Sequence, residues 1–387
     1  MYITKIFTDK TVKNITMLIP NKSNYTQYLI TAVSLIIVLA LLSVTAVGAY
    51  TLLPAKIHYH ITKTFKISQD TGDAQIYLGL ILPKSGPYQS VNNLSVKWDG
   101  NQDSDSRAYV DLLKLSGQII TESEKLAAVE YDISLPQGIS TWQAPIDKFD
   151  LLPEEGIESN HEEIKLTATK ITSSSNGNPA FKIFRFISSY LDYSEYGCEE
   201  TNISALETLR TKISACIGYS RLMVALCRSS GIPAKMIIGT ILPDVLFSLP
   251  QVVASGVPGS GHAWVEFNSQ NSWHFADPSW GHGFVGFLAY NHYSGRHLSL
   301  GEFDHFISSK DELNDWATND ASLKDSQLTS VFASNSDQTE FSSETTISKT
   351  WDQRWLNTVI VLVLVSFVLS KIRDRFFMGQ RNTSEGK

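Results

Sequence analysis

The sequence predicts an α+β fold in which a β-rich domain precedes a mixed helix and strand domain, with an apolar transmembrane helix at each end. Three observations lead to this prediction. Residues 57–170 contain strand-like runs separated by turns, residues 178–305 mix helical and strand periodicities, and two uncharged apolar runs lie near the termini. The 387 residues, 43% hydrophobic and 18% charged, suffice for two domains with buried cores.

The charge distribution argues against a nucleic-acid partner. The formal net charge is -7, yet residues 1–28 and 371–387 are both basic, so the acidic excess falls on the body of the chain. Binding to phosphates requires a basic surface. We therefore expect no nucleic-acid partner.

Cysteine and histidine usage predicts neither a disulfide framework nor a metal centre. There are three cysteines, and their odd number leaves at least one thiol free. The sequence has no C-x-x-C pair, no H-E-x-x-H and no glycine-rich phosphate loop. His282, His292, His297 and His305 are irregularly spaced, which favours solvated or hydrogen-bonded side chains over metal ligands. No metal and no cofactor are expected.

The first apolar run, residues 28–53, predicts a transmembrane helix that follows a cytoplasmic segment over residues 1–27. No charged residue occurs from Ser23 to Ala55, which exceeds the roughly 20 residues that a spanning helix needs. A cleavable signal peptide is the alternative, because residues 47–49 are small, although its apolar core would be only about 7 to 15 residues.

The second apolar run, residues 355–370, predicts another transmembrane helix, and a buried pair of β-strands is the alternative. Trp351 and Trp355 suit a membrane interface, and residues 371–387 form a basic tail. The positive-inside rule places both basic ends in the cytoplasm, which gives a two-pass protein of the cytoplasmic membrane with its body outside. Three lysines between residues 56 and 66 oppose this orientation.

Three regions are predicted between the spans. Alternation after residue 57 and a strand-rich run from Gln75 to Leu82 predict a β-sandwich-type domain over residues 57–170. In residues 178–305, Asn178 is a helix cap with proline next to it, and later runs alternate like strands. Residues 307–350 are rich in small polar and acidic side chains and are predicted to be a polar tether to the membrane.

Cys216 is a candidate nucleophile. It lies just before an apolar run from Leu222 to Cys227, and Gly231 and Pro233 end that run, which predicts a buried helix with Cys216 at its N-terminal end. A helix N-terminus favours the thiolate, the nucleophilic form of cysteine. Taken alone, Cys216 would be interpreted first as a small core residue, as free cysteines usually are.

His262 and Asp277 are candidate partners of this thiol. Residues 261–267 and 273–277 predict two strands joined by a short turn, with the apolar residues 263, 265 and 267 facing inward and His262 facing a cleft. Asp277 shares a face with Trp273 and Phe275, whereas His274 points away. Asp277 is therefore expected beside His262 on the neighbouring strand.

Three motifs resemble the transglutaminase-like superfamily of papain-like cysteine enzymes. They are a Cys at the start of a helix ending in G-I-P-A-K, then H-A-W-V-E, then D-P after a Trp, over roughly residues 180–285. The resemblance implies a papain-like core of a membrane-anchored bacterial protein, with Cys216 as nucleophile, His262 as base and Asp277 as the residue that orients it. The chain has Ser214 where the family commonly has Gly, and Lys235 where it has Arg.

The resemblance implies a hydrolase that cuts peptide or amide bonds of a protein or peptide substrate through a thioester, in the periplasm if the orientation above holds. A protein-crosslinking acyltransferase and a non-catalytic binding or scaffold module are the alternatives. The backbone N–H of Cys216 is the expected oxyanion donor. Cys227 is expected in the core and Cys198 in a loop, with a disulfide between them left open. Residues 240–260 form either a lid or ordinary structure.

Overall fold

The computed structural model describes residues 22–384 except 108–109, 139–140, 175, 195–202, 244–250, 255–260 and 284–285. The helices are α1 Lys22–Leu52, α2 Glu162–Thr172, α3 Pro179–Tyr190, α4 Ala205–Thr211, α5 Cys216–Ser229, α6 Phe303–Thr318 and α7 Gln353–Ser384. The strands are β1 Ala55–Gln69, β2 Ala74–Pro83, β3 Ser90–Lys97, β4 Asn101–Ser106, β5 Val110–Ile119, β6 Ser123–Gly138, β7 Thr141–Trp142, β8 Asp192–Tyr193, β9 Ile213–Ser214, β10 Ala234–Ile241, β11 Gln251–Ala254, β12 Gly261–Ser269, β13 Ser272–Ala276, β14 Tyr293–Ser294, β15 His297–Glu302, β16 Ser322–Gln327, β17 Ser330–Ser334 and β18 Thr339–Asp352. Short 3-10 turns occupy Lys148–Leu151, Pro278–Trp280 and Gly286–Ala289.

The chain divides into two compact units, Thr51–Arg354 and a unit made of its two ends, Met1–Tyr50 and Trp355–Lys387. In the unit of the two ends, α1 and α7 contain two segments, Val33–Thr51 and Gln353–Lys371, that are long and apolar enough to cross a membrane. Their large apolar side chains are exposed, as is usual for helices that face lipid. The helix at residues 353–384 excludes the β-strand alternative for the second apolar run.

A β-sandwich forms one half of the larger unit. A six-stranded sheet has the order β11-β18-β1-β6-β14 with β3 on β6, and a five-stranded sheet has the order β16-β17-β2-β5-β4. Along most of β1 and β6 every second residue is buried, and the apolar side chains among them share one core with those of β2 and β5. The period of two thus packs the two sheets face to face.

The other half of the larger unit is a mixed layer of helices on a third sheet. This sheet has the order β15-β10-β12-β13-β7. The buried helix α5 packs on β10 and β12, with α2, α3 and α4 around it, and their apolar residues form a second core. Gly231, in the left-handed region with φ +74, ends α5 as the sequence predicts.

The expectation of a polar tether over residues 307–350 is wrong. This region forms most of α6 and the strands β16, β17 and β18, and β18 pairs with β1 along its length. In α6, the apolar residues Phe306, Leu313 and Ala317 recur at helical spacing and all are buried. A composition rich in polar residues therefore concealed a regular periodicity.

The expected division into a domain over 57–170 and another over 178–305 also differs from the structure. Thr51–Arg354 is one compact unit. The run of strands ends at Trp142, and residues 162–172 form α2, which packs on α5 in the second core. The sandwich is completed only by strands that follow the mixed layer in sequence.

Candidate active site

Cys216 is the first residue of α5, a helix whose residues are almost all buried. Ala215 precedes it in extended conformation and provides no side-chain hydrogen bond to the first turn. The N–H groups of that turn and the helix dipole therefore act on the thiol without a competing side-chain cap. The residue is 8% exposed, so it has limited access to solvent at the N-terminal end of the helix.

Ser214, near the start of α5, is accommodated by a glycine in the first turn of that helix. A Cβ on Gly218 would lie 2.0 Å from Ser214 Oγ and 2.6 Å from Thr208 Oγ1. Both distances are below any real contact of a Cβ atom. Gly218 therefore provides the space that the side chain at position 214 occupies beside Cys216.

His262 lies at the start of β12, and Asp277 follows β13. The antiparallel register pairs Val265 with Ala276, so Asp277 comes next to β12. His262 Nε2 lies 2.7 Å from Asp277 Oδ2. Both side chains are buried, His262 at 6% exposure and Asp277 at 0%. His274 is not part of this cluster, because its ring nitrogens are engaged by Asn291 and the Ser269 carbonyl.

Asp277 accepts hydrogen bonds at both carboxylate oxygens. Oδ1 accepts from the Ser279 N–H and hydroxyl at 3.1 and 2.7 Å and from the Trp280 N–H at 3.3 Å. Oδ2 accepts from His262 and from His297. Burial alone would raise the pKa of Asp277, but the charge and hydrogen bond of His262 and the hydrogen bond of His297 hold it well below its usual range. The carboxylate is therefore ionised.

The opposing effects on His262 favour its charged form. Burial lowers the pKa of the imidazole, but the Asp277 charge and hydrogen bond, together with a hydrogen bond and charge from Cys216, raise it from 6.5 to about 10. Because Nε2 faces Asp277, Nδ1 is the nitrogen left for Cys216. His262 thus lies between Cys216 and Asp277.

His297 is a member of the cluster that sequence reasoning missed. Its Nε2 lies 3.2 Å from Asp277 Oδ2, and the residue is 2% exposed. The alternation of His297-Leu298-Ser299-Leu300 is typical of a buried strand, in which a histidine must find a partner, and this is the signal that could have identified it. His282 instead contacts the Tyr219 hydroxyl, and His305 is exposed.

The ligand atoms of His262, Asp277 and His297 lie within 4.8 Å of one another, as the ligands of a metal ion would. The separation of 2.7 Å between Nε2 of His262 and Oδ2 of Asp277 is a hydrogen-bond distance. Two ligands of a tetrahedral zinc ion, each bonded at about 2.0 Å, would be about 3.3 Å apart. The arrangement therefore fits a hydrogen-bonded network better than a metal centre.

Aromatic side chains form one wall beside the imidazole. Trp280 is 40% exposed, and its ring centroid lies 5.7 Å from that of His262 and 4.8 Å from that of His297. Trp280 thus provides an apolar surface next to the two imidazoles.

Residues 240–260 are expected to form either a lid or ordinary structure. Most of this segment, residues 244–250 and 255–260, lies outside the described residues, while Gln251–Ala254 forms β11 on the edge of β18.

Two remaining residues of the sequence analysis have structural roles. Lys235 Nζ lies 2.8 Å from Glu302 and 3.8 Å from Glu266 and packs over the Trp273 ring, so Lys235 belongs to a network of charges. Cys227 is a fully buried free thiol, and burial raises its pKa to about 12. Cys198 lies outside the described residues.

Comparisons with known proteins find one matching family model and several similar solved structures. Residues 165–278 match the model of the Transglutaminase-like superfamily. A candidate cysteine protease from Cytophaga hutchinsonii is similar in structure, with 12% identity over 77% of this chain and 100% of that one and a TM-score of 0.45. The periplasmic domain of TgpA from Pseudomonas aeruginosa, bound to ethylmercury, gives 15% identity over 62% and 94% and a TM-score of 0.29. No curated protein matches the chain.

Proposed function

We propose that this protein is a cysteine hydrolase that cuts peptide or amide bonds. Its residues 165–278 belong to the transglutaminase-like superfamily. The observation that carries the proposal is the position of His262 between the Cys216 thiol and the buried, ionised Asp277 carboxylate. In this arrangement Cys216 is the nucleophile, His262 the general base and acid, and Asp277 the group that orients the imidazole.

The reaction proceeds in two steps. The Cys216 thiolate attacks the substrate carbonyl carbon, the C–N bond breaks, and the leaving amine takes the proton of the His262 imidazolium. Water then gives a proton to His262 and attacks the thioester, the C–S bond breaks, and a carboxylic acid leaves. The backbone N–H of Cys216 is a suitable donor to the oxyanion in both steps, and one such donor contributes about 3 kcal/mol.

Two other functions use the same residues. If a lysine amine replaces water in the second step, the product is a crosslink and the protein is a transglutaminase. The burial of Cys216, 8% exposed, favours a third function, a binding or scaffold module that needs no thiol chemistry. The raised pKa of His262 argues for chemistry, because a purely structural imidazole needs no contact with a thiol.

We also propose that the protein is anchored in the cytoplasmic membrane by two spans, with the compact unit Thr51–Arg354 outside the cytoplasm. Two apolar helices of sufficient length and the basic ends of the chain support this orientation. Lys56, Lys63 and Lys66, which oppose it in sequence, belong to β1 of a folded unit, and charges within long translocated domains weigh little. A cleaved signal sequence in place of the first span remains the alternative.

The test uses the full chain in detergent micelles, incubated with a library of glutamine-containing peptides with and without a primary amine probe. Mass spectrometry should detect new peptide termini or conversion of glutamine to glutamate, and Cys216→Ser should abolish both. Incorporation of the amine probe would instead identify a transglutaminase. Cys227→Ser is the matched control, since this thiol lies outside the site. If the Cys216→Ser protein shows the same products as the wild type, the hydrolase proposal is wrong.

A further inference from the structure

The Asp277 carboxylate interacts with two imidazoles, whereas the proposed chemistry requires only one. The second imidazole, His297, lies at the start of β15, two strands away from β12 in the sheet, with β10 between them. Oδ2 of Asp277 accepts from Nε2 of His262 at 2.7 Å and from Nε2 of His297 at 3.2 Å. Two donors therefore compete for one oxygen.

The hydrogen bonds around His297 fix its tautomer. A carboxylate only accepts, so Nε2 of His297 carries a proton and donates it to Asp277. Nδ1 lies 2.9 Å from the Ser294 hydroxyl, whose oxygen accepts from the Arg296 N–H at 3.2 Å. The Ser294 hydroxyl is thus oriented to donate to Nδ1, and the neutral tautomer satisfies every group. Burial lowers the pKa of His297 to about 4, so the ring stays neutral at physiological pH.

The position of the His297 ring is fixed by its aromatic neighbours. Its centroid lies 5.1 Å from that of Trp264, 4.8 Å from that of Phe275 and 4.8 Å from that of Trp280. Gly239 of β10 provides the space for this packing, because a Cβ there would meet the Trp264 ring at 2.3 Å. A ring held in this way can act as a rigid donor.

We propose that His297 is a positioning residue, which holds the Asp277 carboxylate in place with a second hydrogen bond and so fixes the orientation of His262 toward Cys216. This inference deepens the hydrolase function proposed above and rests on it. His297 is a neutral hydrogen-bond donor in this role: it keeps its Nε2 proton and transfers no proton during the reaction. By sharing Oδ2, it also limits how strongly Asp277 stabilises the His262 imidazolium.

The test compares two amides that place their N–H groups differently. The amide nitrogen of His297→Gln reaches the place of Nε2 and can donate to Asp277, whereas that of His297→Asn lies near the place of Nδ1 and cannot. The rate constant for alkylation of Cys216 by chloroacetamide is measured from pH 5 to 11, with Cys216→Ser as the control for other thiols. We expect His297→Asn to react about 10- to 100-fold more slowly, as misplaced catalytic groups do. We expect His297→Gln to stay within about threefold of the wild type.

The pH profile separates positioning from packing. Without the competing donor, Asp277 binds the His262 imidazolium more strongly. The alkaline limb of the alkylation rate profile should therefore move to higher pH in His297→Asn and stay in place in His297→Gln. A loss of thermal stability with an unmoved limb, or equal effects of the two variants, would overturn the proposal. If wild-type Cys216 reacts as an ordinary thiol, the hydrolase function fails, and NMR titration of the His262 ring in the same variants still decides the role of His297.

Discussion

Replacing Asp277 by asparagine changes one acceptor into a donor while keeping the shape of the side chain. The remaining carbonyl oxygen can serve the donors of Ser279 and Trp280, which leaves the amide nitrogen facing the Nε2 atoms of His262 and His297. His262 must then move its proton from Nε2 to Nδ1, the nitrogen that faces Cys216. An imidazole in this tautomer cannot take the proton of the thiol.

The magnitude follows from the pKa of His262. Despite burial, Asp277 and Cys216 raise this pKa from 6.5 to about 10, which corresponds to about 4 to 5 kcal/mol in favour of the imidazolium. Loss of Asp277 removes most of this stabilisation. Because a thiol with the ordinary pKa of about 8.5 is only about 3% ionised at pH 7, alkylation of Cys216 near neutral pH should slow by about 30-fold. Because the folded pKa of His262 is raised, the stability that its imidazolium contributes is complete below about pH 6.5 and is lost as the pH rises through about 10.

The assay is the rate of chloroacetamide alkylation of Cys216 between pH 5 and 11, measured by mass spectrometry of the modified peptide. Chemical denaturation over the same range should show a decline in wild-type stability toward pH 10 that is absent from Asp277→Asn. Ser279→Ala, which removes one of the donors to Oδ1, is a milder control. An Asp277→Asn protein that is folded and alkylated at the wild-type rate would refute the assigned roles of His262 and Asp277.

Three further predictions concern stability. Gly239→Ala should destabilise the fold by about 3 kcal/mol or more, because its Cβ would lie 2.2 Å from a backbone oxygen. Thermal melting measures this loss, and Gly261→Ala, whose Cβ would make only ordinary contacts, is the control. Burial raises the pKa of Glu266 to about 7, so the free-energy cost of burying its carboxylate grows as the pH rises from about 4.5 to 7. In urea titrations, Glu266→Gln should therefore be up to about 3 kcal/mol more stable than the wild type above pH 7, but not at pH 4.5. Phe332→Ala should cost about 3 to 5 kcal/mol in the same titration, because this fully buried ring stacks on Phe341 at 4.3 Å; a loss below about 1 kcal/mol would mean that residues 307–350 are dispensable to the core.

The elements nearest the candidate site could be predicted from local sequence signals. The helix that begins at Cys216 has clear stop signals at Gly231 and Pro233, and the strands around His262 and Asp277 alternate with a period of two. In each case the deciding residues are near one another in the chain, so their pattern alone indicates which face is buried.

The features that sequence reasoning missed depend on distant partners. His297 joins Asp277 only because the strand order brings β15 to the same side of the sheet, and no local pattern encodes that order. Likewise β18 is rich in polar residues because one of its faces is exposed, and it becomes a strand by pairing with β1, nearly 300 residues earlier. Average composition cannot distinguish such a strand from a linker.

The pairing of β1 with β18, from Ile57 with Asp352 to Gln69 with Thr339, has a consequence for biosynthesis. A nascent chain on the ribosome must leave one hydrogen-bonding edge of β1 unpaired until nearly the whole compact unit has been made, since β18 is the last strand of that unit to be translated. Contacts between such distant segments form slowly, and an unpaired strand edge is prone to aggregate. Completion of the sandwich should therefore be the late step in maturation, and chains truncated before residue 339 should depend on chaperones or be degraded.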